Sequence, residues 1–290
     1  MFIGASWLGD AKASAARGWA IAFARDHFSE HDYFALTDLK SNASGRATPW
    51  QRLGAFDHSA THAGVFPKAH KSGDPTTLNR LYGRQSGPRL RKGQQEMVDT
   101  LLPALSVPVE GPVTAADLFG YDRPLHFEIG FGGGEHMAYR ADMLPDHGFI
   151  GCEPFLNGVV QALGHVRDKG LGNVRLHMGD ALDVLSRIPD GALSFVYLLH
   201  PDPWPKARHA KRRMMNPGPV AMIARKLKPG GEFRFGTDHP VYLRWALMVM
   251  NGHPDFDWLA SDPRDFQTRP GGWPETRYEA KARRLGHEVW

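Results

Sequence analysis

The hydrophobic pattern changes character part-way along the chain. From residue 125 onward, short apolar runs alternate with longer segments of helical period, and Gly, Pro and Asp punctuate the joins. The pattern predicts strands at 125–130, 148–152, 173–178, 193–199 and 232–235. Between and after them it predicts helices at 135–144, 155–169, 220–227 and 242–250. Lys228-Pro229-Gly230-Gly231 is a strong helix stop and turn. Such alternation implies βαβ units and a mostly parallel, doubly wound α/β sheet, in which ligands bind beyond the carboxyl ends of the strands. The last stretch, Thr268-Arg269-Pro270 through Thr276-Arg277-Tyr278-Glu279 to His287, has no apolar period. It reads as a loop and edge hairpin closing the sheet.

Residues 1–73 lack this texture. One amphipathic helix near 14–28 is plausible among small, polar and breaker residues, and the segment is expected to be a disordered or poorly packed extension. Its Ala-rich start imitates a transit peptide, against which Asp10 and Asp26 count. His27/His31 and His58/His62 have the i,i+4 spacing that seats a metal on a helical face. Neither pair has the Glu directly after its first His that the His-Glu-x-x-His pattern needs, since Glu30 stands next to His31 instead, and no further ligand cluster follows, so no metal is expected. The folded domain is placed at 74–290, with the basic 74–124 as its lead-in.

Composition narrows the class. Of the 290 residues, 42% are apolar, and 32 are Gly, enough for a sizeable core. The single Cys152 excludes an intrachain disulfide. No run approaches the ~18 apolar residues of a membrane span, and no secretory signal is evident. A cytoplasmic protein is expected. Charge is informative only when resolved. The net value of +4 hides an acidic body, 93–205, with 6 basic against 15 acidic residues. Cationic strips flank it: 74–92 has 5 basic and 1 acidic residue, and 206–213 has 5 basic and none acidic.

Candidate chemistry collects at the predicted strand ends. Glu128 precedes a loop with Gly130, Gly132 and Gly134, which lets the backbone approach a ligand closely. A dinucleotide fingerprint would require glycine at 135, where Glu135 stands. S-adenosylmethionine, which has no pyrophosphate, suits the loop better. Glu153 lies where an acid can accept both ribose hydroxyls, and Asp180 where one can accept the adenine amine. Taken singly, each acid could equally be a helix cap or a loop residue. The fourth strand ends in His200-Pro201-Asp202-Pro203-Trp204-Pro205, followed by Lys206, Arg208, His209, Lys211, Arg212 and Arg213. Two prolines fix the backbone around Asp202, Trp204 offers a flat face, and the cations suit a phosphate rim. Asp238 follows the fifth strand.

These motifs together, namely Glu128 with the Gly-Phe-Gly-x-Gly loop, Pro201-Asp202-Pro203-Trp204-x-Lys206-x-Arg208-His209-x-Lys211-Arg212-Arg213, Thr237-Asp238 and Thr276-Arg277-Tyr278-Glu279, resemble the bacterial tRNA (guanine-N7)-methyltransferase family. The resemblance runs from Leu78, through the basic Arg80 to Gln95 segment, to Trp290. It implies a Rossmann-like, seven-stranded class I methyltransferase sheet, S-adenosylmethionine as cofactor, and tRNA as substrate, methylated on guanine N7 at position 46 of the variable loop. It implies cofactor contacts by Glu128, Gly130, Gly132, Glu153, Asp180 and Asp202, with Asp202 also catalytic. It implies substrate contacts by Lys206, Asp238, Thr276, Arg277, Tyr278 and Glu279, RNA contacts by Arg208, Lys211, Arg212 and Arg213, no metal or membrane, and a monomer or homodimer. Pro205 departs from the family, which often has His there. Residues 1–73 have no counterpart in it. An amino-methyltransferase acting on another nucleic acid or on protein is the alternative, because Asp202-Pro203-Trp204 loosely resembles such enzymes' Pro-Pro-aromatic loops. A nicotinamide dehydrogenase fails at Glu135, and a non-enzymatic RNA binder would have no use for the carboxylates.

Overall fold

The computed structural model describes residues 81–290, apart from 83, 84, 252, 261 and 267. The extension 1–73, its histidine pairs, Arg80 and Arg84 lie outside the described residues. Five strands form one parallel sheet: β1 Leu125–Ile129, β2 Gly148–Cys152, β3 Val174–His177, β4 Leu193–Leu199 and β5 Leu227–Gly236. Their order is β3-β2-β1-β4-β5. Central β1 and β2 are buried throughout; β2 accordingly reads as a continuous apolar run, whereas β1 also buries the polar His126 and Glu128. Edge strand β3 alternates buried and half-buried positions instead.

Helices cover both faces: α1 Lys92–Leu105, α2 Ala115–Phe119, α3 Glu135–Met143, α4 Leu156–Lys169, α5 Ala181–Arg187, α6 Pro217–Lys226, α7 Pro240–Met250 and α8 Arg277–Arg284. One core joins Phe149, Val159, Leu163, Val174 and Leu176 to Met137 of α3, with Met97, Val98, Leu101 and Leu102 of α1 packed against it. The other joins Val196, Leu198, Phe233 and Phe235 to Val184, Ile223, Leu243 and Ala246. In α7 every one of the eleven residues except Pro240 and Arg244 is apolar, so its apolar residues bury on several sides. The chain order reverses between β1 and β4, and their adjacent carboxyl ends open one crevice.

Three expectations change. The sheet has five strands among the described residues, not seven. Beyond β5, Thr237 and Trp290 exchange both backbone hydrogen bonds, at 2.8 and 2.9 Å, and no further ladder forms among the described residues. Residues 251–276 contain Pro254, Pro263, Pro270 and Pro274, each lacking the N–H that a ladder needs. Residues 228–231 are not a free turn but a bulge within β5. There the pairing skips from Leu193↔Leu227 to Phe195↔Glu232, and Gly230 takes a φ of 75°. Finally, the stretch read as a hairpin near the C-terminus contains α8. Thr276 caps it, its hydroxyl accepting the Glu279 N–H at 3.2 Å. The signal was the Thr-x-x-Glu spacing of a helix start.

Candidate active site

The loop after β1 is built from left-handed glycines: φ is 68° at Gly130, 59° at Gly132 and 79° at Gly134, which leads into α3. Gly130 N–H donates to Cys152 O at 2.8 Å, extending the β1–β2 ladder into the loop. Glu153 then ties the loop down. Its Oε2 accepts the Gly132 N–H at 2.8 Å and its Oε1 the Phe155 N–H at 2.9 Å. Each oxygen keeps a second lone pair for a hydroxyl. Burial raises the Glu153 carboxyl, opposed by those two N–H groups and by Arg277, and reinforced by Asp202. Helix α4 runs so close beneath that a Cβ at Gly158 would lie 2.2 Å from Gly132 O.

Asp180 caps α5, its Oδ1 accepting the Leu182 N–H at 2.9 Å. Burial raises its carboxyl too. Glu128 is buried in β1 beside Gly151 and Tyr197, and its Oε2 lies 2.7 Å from His136 Nδ1.

The β4 loop carries the only described non-glycine residues with positive φ, His200 at 50° and Trp204 at 41°. They bracket Asp202, whose carboxyl is raised by the protein around it although one side stays exposed. Arg213 holds this loop from beneath. Its Nε donates to Pro203 O at 3.1 Å and its Nη2 to Trp204 O at 2.9 Å, and its guanidinium lies 4.7 Å from the Trp245 ring. Arg213 is therefore buried, not on the RNA-facing rim where the sequence reading placed it. Its guanidinium is turned onto two carbonyls inside the fold, and the charge run alone does not reveal this inversion.

Lys206, Arg208 and Lys211 are exposed around a 3-10 turn, Ala207–Arg212. Arg212 sits between two rings, 4.6 Å from Tyr82 and 4.7 Å from Trp204, which themselves meet edge-on at 6.2 Å. The two cationic strips thus touch. The first continues over the start of α4, where Leu156 N–H donates to Gln85 O, Gly87 N–H donates to Asn157 Oδ1 at 2.7 Å, and Asn157 Nδ2 donates to Pro88 O.

Asp238 faces His200 Nδ1 at 3.8 Å and His287 Nδ1 at 3.4 Å. Those imidazoles hold its carboxyl down to about 2 despite partial burial. Helix α8 crosses the crevice. A Cβ at Gly132 would meet the Tyr278 ring at 2.8 Å, and that ring lies 6.5 Å from His200. Arg277 donates to Gln161 of α4 at 2.6 Å and faces Glu135 at 3.7 Å. Thr276 caps the helix, and Glu279 is buried between Arg269 and Arg283 at 3.1 and 2.8 Å. The sequence reading missed His136, His200 and Trp273. The rings of His136 and Trp273 lie 4.5 Å apart. With Thr268, Arg269 and Glu279, these residues line a cleft at the ends of β4 and β5.

The residues fit S-adenosylmethionine. Three buried carboxylates stand at consecutive strand ends, beside a loop whose Gly130 leaves open space where a Cβ would be. Among the described residues, no group of three or more His, Cys, Asp or Glu is placed to hold a metal ion, and no helix is long and apolar enough to cross a membrane.

Comparison with known proteins agrees. A family described as "Putative methyltransferase" matches residues 122–290. A tRNA (guanine-N(7)-)-methyltransferase of Sphingopyxis alaskensis is 77% identical over 228 residues, covering 77% of this chain and 96% of the relative. The chain belongs to the tRNA (guanine-N7-)-methyltransferase family. Family members of the same description in Novosphingobium aromaticivorans and Rhodospirillum rubrum are 74% and 45% identical, covering 77% and 74% of this chain and 96% and 86% of the relatives.

Proposed function

We propose that this protein transfers a methyl group from S-adenosylmethionine to N7 of a guanine in tRNA, at position 46 of the variable loop. What carries the reading is one conjunction: three cofactor-type carboxylates and the Pro-Asp-Pro-Trp loop at a single sheet edge, in a chain 77% identical to a relative bearing that name. The cofactor supplies an electrophilic methyl on a sulfonium. Glu153 accepts from the ribose hydroxyls, Asp180 from the adenine amine, and Glu128 from the amino-acid end. Gly130 and Gly132 bring backbone close to it.

Guanine N7 holds a free lone pair at neutral pH, so no base is needed to expose it. Catalysis rests first on placement, which in well-oriented systems lowers a barrier by up to about 7–11 kcal/mol. Asp202, fixed between two left-handed residues, accepts hydrogen bonds from the base edge and stabilises the positive charge developing on the ring. Lys206, Asp238 and the α8 residues Arg277 and Tyr278 shape the base site, with Thr276 and Glu279 setting the helix that presents them. Arg208, Lys211 and Arg212 grip phosphates or bases of the RNA. Action on tRNA supports a cytoplasmic location for the protein.

The test is incubation of the purified protein with methyl-labelled cofactor and unmodified tRNA, then nuclease digestion and mass spectrometry of the modified nucleoside. Label on N7 of a variable-loop guanine is expected. Label on an exocyclic amine would instead indicate an amino-methyltransferase, and the reading fails. Asp202→Ala is expected to abolish transfer while largely keeping cofactor affinity, and near-native turnover in that variant refutes its catalytic role.

A further inference from the structure

We propose that His136 is a positioning residue for methyl transfer, holding the Glu128 carboxylate in the orientation that meets the amino-acid end of the cofactor. The proposal rests on the reading of Glu128 as a cofactor contact and adds to it the group that keeps the contact in place.

Glu128 is 5% exposed in the middle of the sheet. A buried carboxylate needs a partner, because an unpaired one costs several kcal/mol or gives up its charge. Among the described residues, the hydrogen bond made by its side chain is the one from His136, at 2.7 Å. With the carboxylate ionised, that distance puts the ring proton on Nδ1, donated to Oε2. Oε1 is thereby left for a second donor, and an ammonium is a strong one.

The chain builds this pair deliberately. Left-handed Gly134 turns the backbone from the glycine loop into α3, which brings position 136 back against β1. The ring is 2% exposed and cannot swing. Tyr197 meets it edge-on at 4.8 Å, and Trp273 packs on it at 4.5 Å. Its other nitrogen, Nε2, is buried without a hydrogen-bond partner, and the residue lines the cleft at the ends of β4 and β5. The imidazole therefore has two separable hydrogen-bonding ends, Nδ1 on Glu128 and Nε2 buried without a partner.

The two amide replacements separate them. In His136→Asn the side-chain amide nitrogen falls where Nδ1 was and keeps the bond to Glu128. In His136→Gln the longer amide occupies the Nε2 position and loses it. We would measure KM for cofactor and for tRNA, kcat, and the Kd of S-adenosylhomocysteine by calorimetry, with thermal melts on each variant. Loss of a hydrogen bond to a charged group predicts a rise of about tenfold or more in cofactor KM and Kd for H136Q. H136N should stay within about threefold of wild type, and KM for tRNA should not move in either variant. Equal losses in both variants, or native affinity in both, would show a merely structural ring and overturn the proposal. So would a native H136Q beside an impaired H136N, which would place the role on Nε2. H136N carries the test alone if H136Q proves unstable, since near-native affinity is required of it. Glu128→Gln separates the two layers. Native affinity there overturns the cofactor role of Glu128 itself, whereas weak binding in E128Q beside native binding in H136Q overturns only the proposal about His136.

Discussion

Replacing Arg213 with Met should cripple turnover without touching RNA affinity, and the structure sets the scale. Arg213 donates to Pro203 O and Trp204 O while its guanidinium stacks near Trp245. A hydrogen bond involving a charged group contributes about 1.5–3 kcal/mol, so the pair contributes roughly 3–6 kcal/mol. Against this stand the two left-handed residues of the loop, His200 and Trp204, at about 1–3 kcal/mol each. The two quantities are of similar size, so Arg213 is what keeps the loop in its strained shape. Methionine keeps most of the apolar stem and deletes both donors. The loop can then relax, carrying Asp202 with it, and a displacement near 1 Å at a reacting group costs about a hundredfold in rate. Single-turnover methylation should therefore fall about 100-fold, and the thermal midpoint should drop as well. In tRNA binding across a salt series, the slope of log K against log salt should match wild type, because no phosphate contact is lost. Turnover near wild type would refute the anchoring role. A slope reduced by about 0.7–0.9 would put Arg213 on a phosphate after all.

Three further outcomes follow from the same geometry. Gly158→Ala places a methyl 2.2 Å from Gly132 O, and overpacking of about 1–3 kcal/mol should weaken S-adenosylhomocysteine binding by about 10–100-fold. Gly164→Ala, on the same helix with open space around it, should bind normally, and equal effects in calorimetry would refute the close approach. His126 is buried in a hydrogen-bonded chain with Tyr197 and His147, and burial first, then His147 and Arg140, pushes its pKa to about 2. The unfolded chain binds the extra proton below the ordinary value of 6.5, so this contribution is full above that pH and is lost as pH falls toward about 2. His126→Phe should then lose about 2 kcal/mol less than wild type between pH 7 and 5 in urea melts, and parallel losses would refute it. Changing the exposed Lys206, Arg208 and Lys211 together to Gln should weaken tRNA binding and flatten its salt slope with an unchanged melt, whereas an unchanged slope would exclude a phosphate role.

Much of this molecule was legible because its information is local. The five strands and the helices α3, α4, α6 and α7 follow from apolar runs and helix stops that a few neighbouring residues specify. The glycines after β1 take the positive φ that their type permits. The acids at positions 128, 153 and 180 fall at strand ends because the alternation of the chain puts them there. Helix α1 was not read from the lead-in although its Met97, Val98, Leu101 and Leu102 have helical spacing and pack toward the core beside α4. Helix α8 was missed because its sequence is almost wholly polar and charged, and only its Thr-x-x-Glu start announces it.

Tertiary structure decided the rest, and for a consistent reason: a residue's type does not say which way its side chain points. Sequence alone determined that five cations follow the Asp202 loop. Only the packed fold turned Arg213 inward onto two carbonyls while leaving Arg208 and Lys211 in solvent. Sequence alone placed Tyr82 and Trp204 more than a hundred residues apart. The fold joined them around Arg212. The pairing of Glu128 with His136 likewise depends on a left-handed glycine bending the chain back on itself. Local preference writes the elements and their ends, but contacts between elements are selected by the burial of the whole core, and the site is made of those contacts.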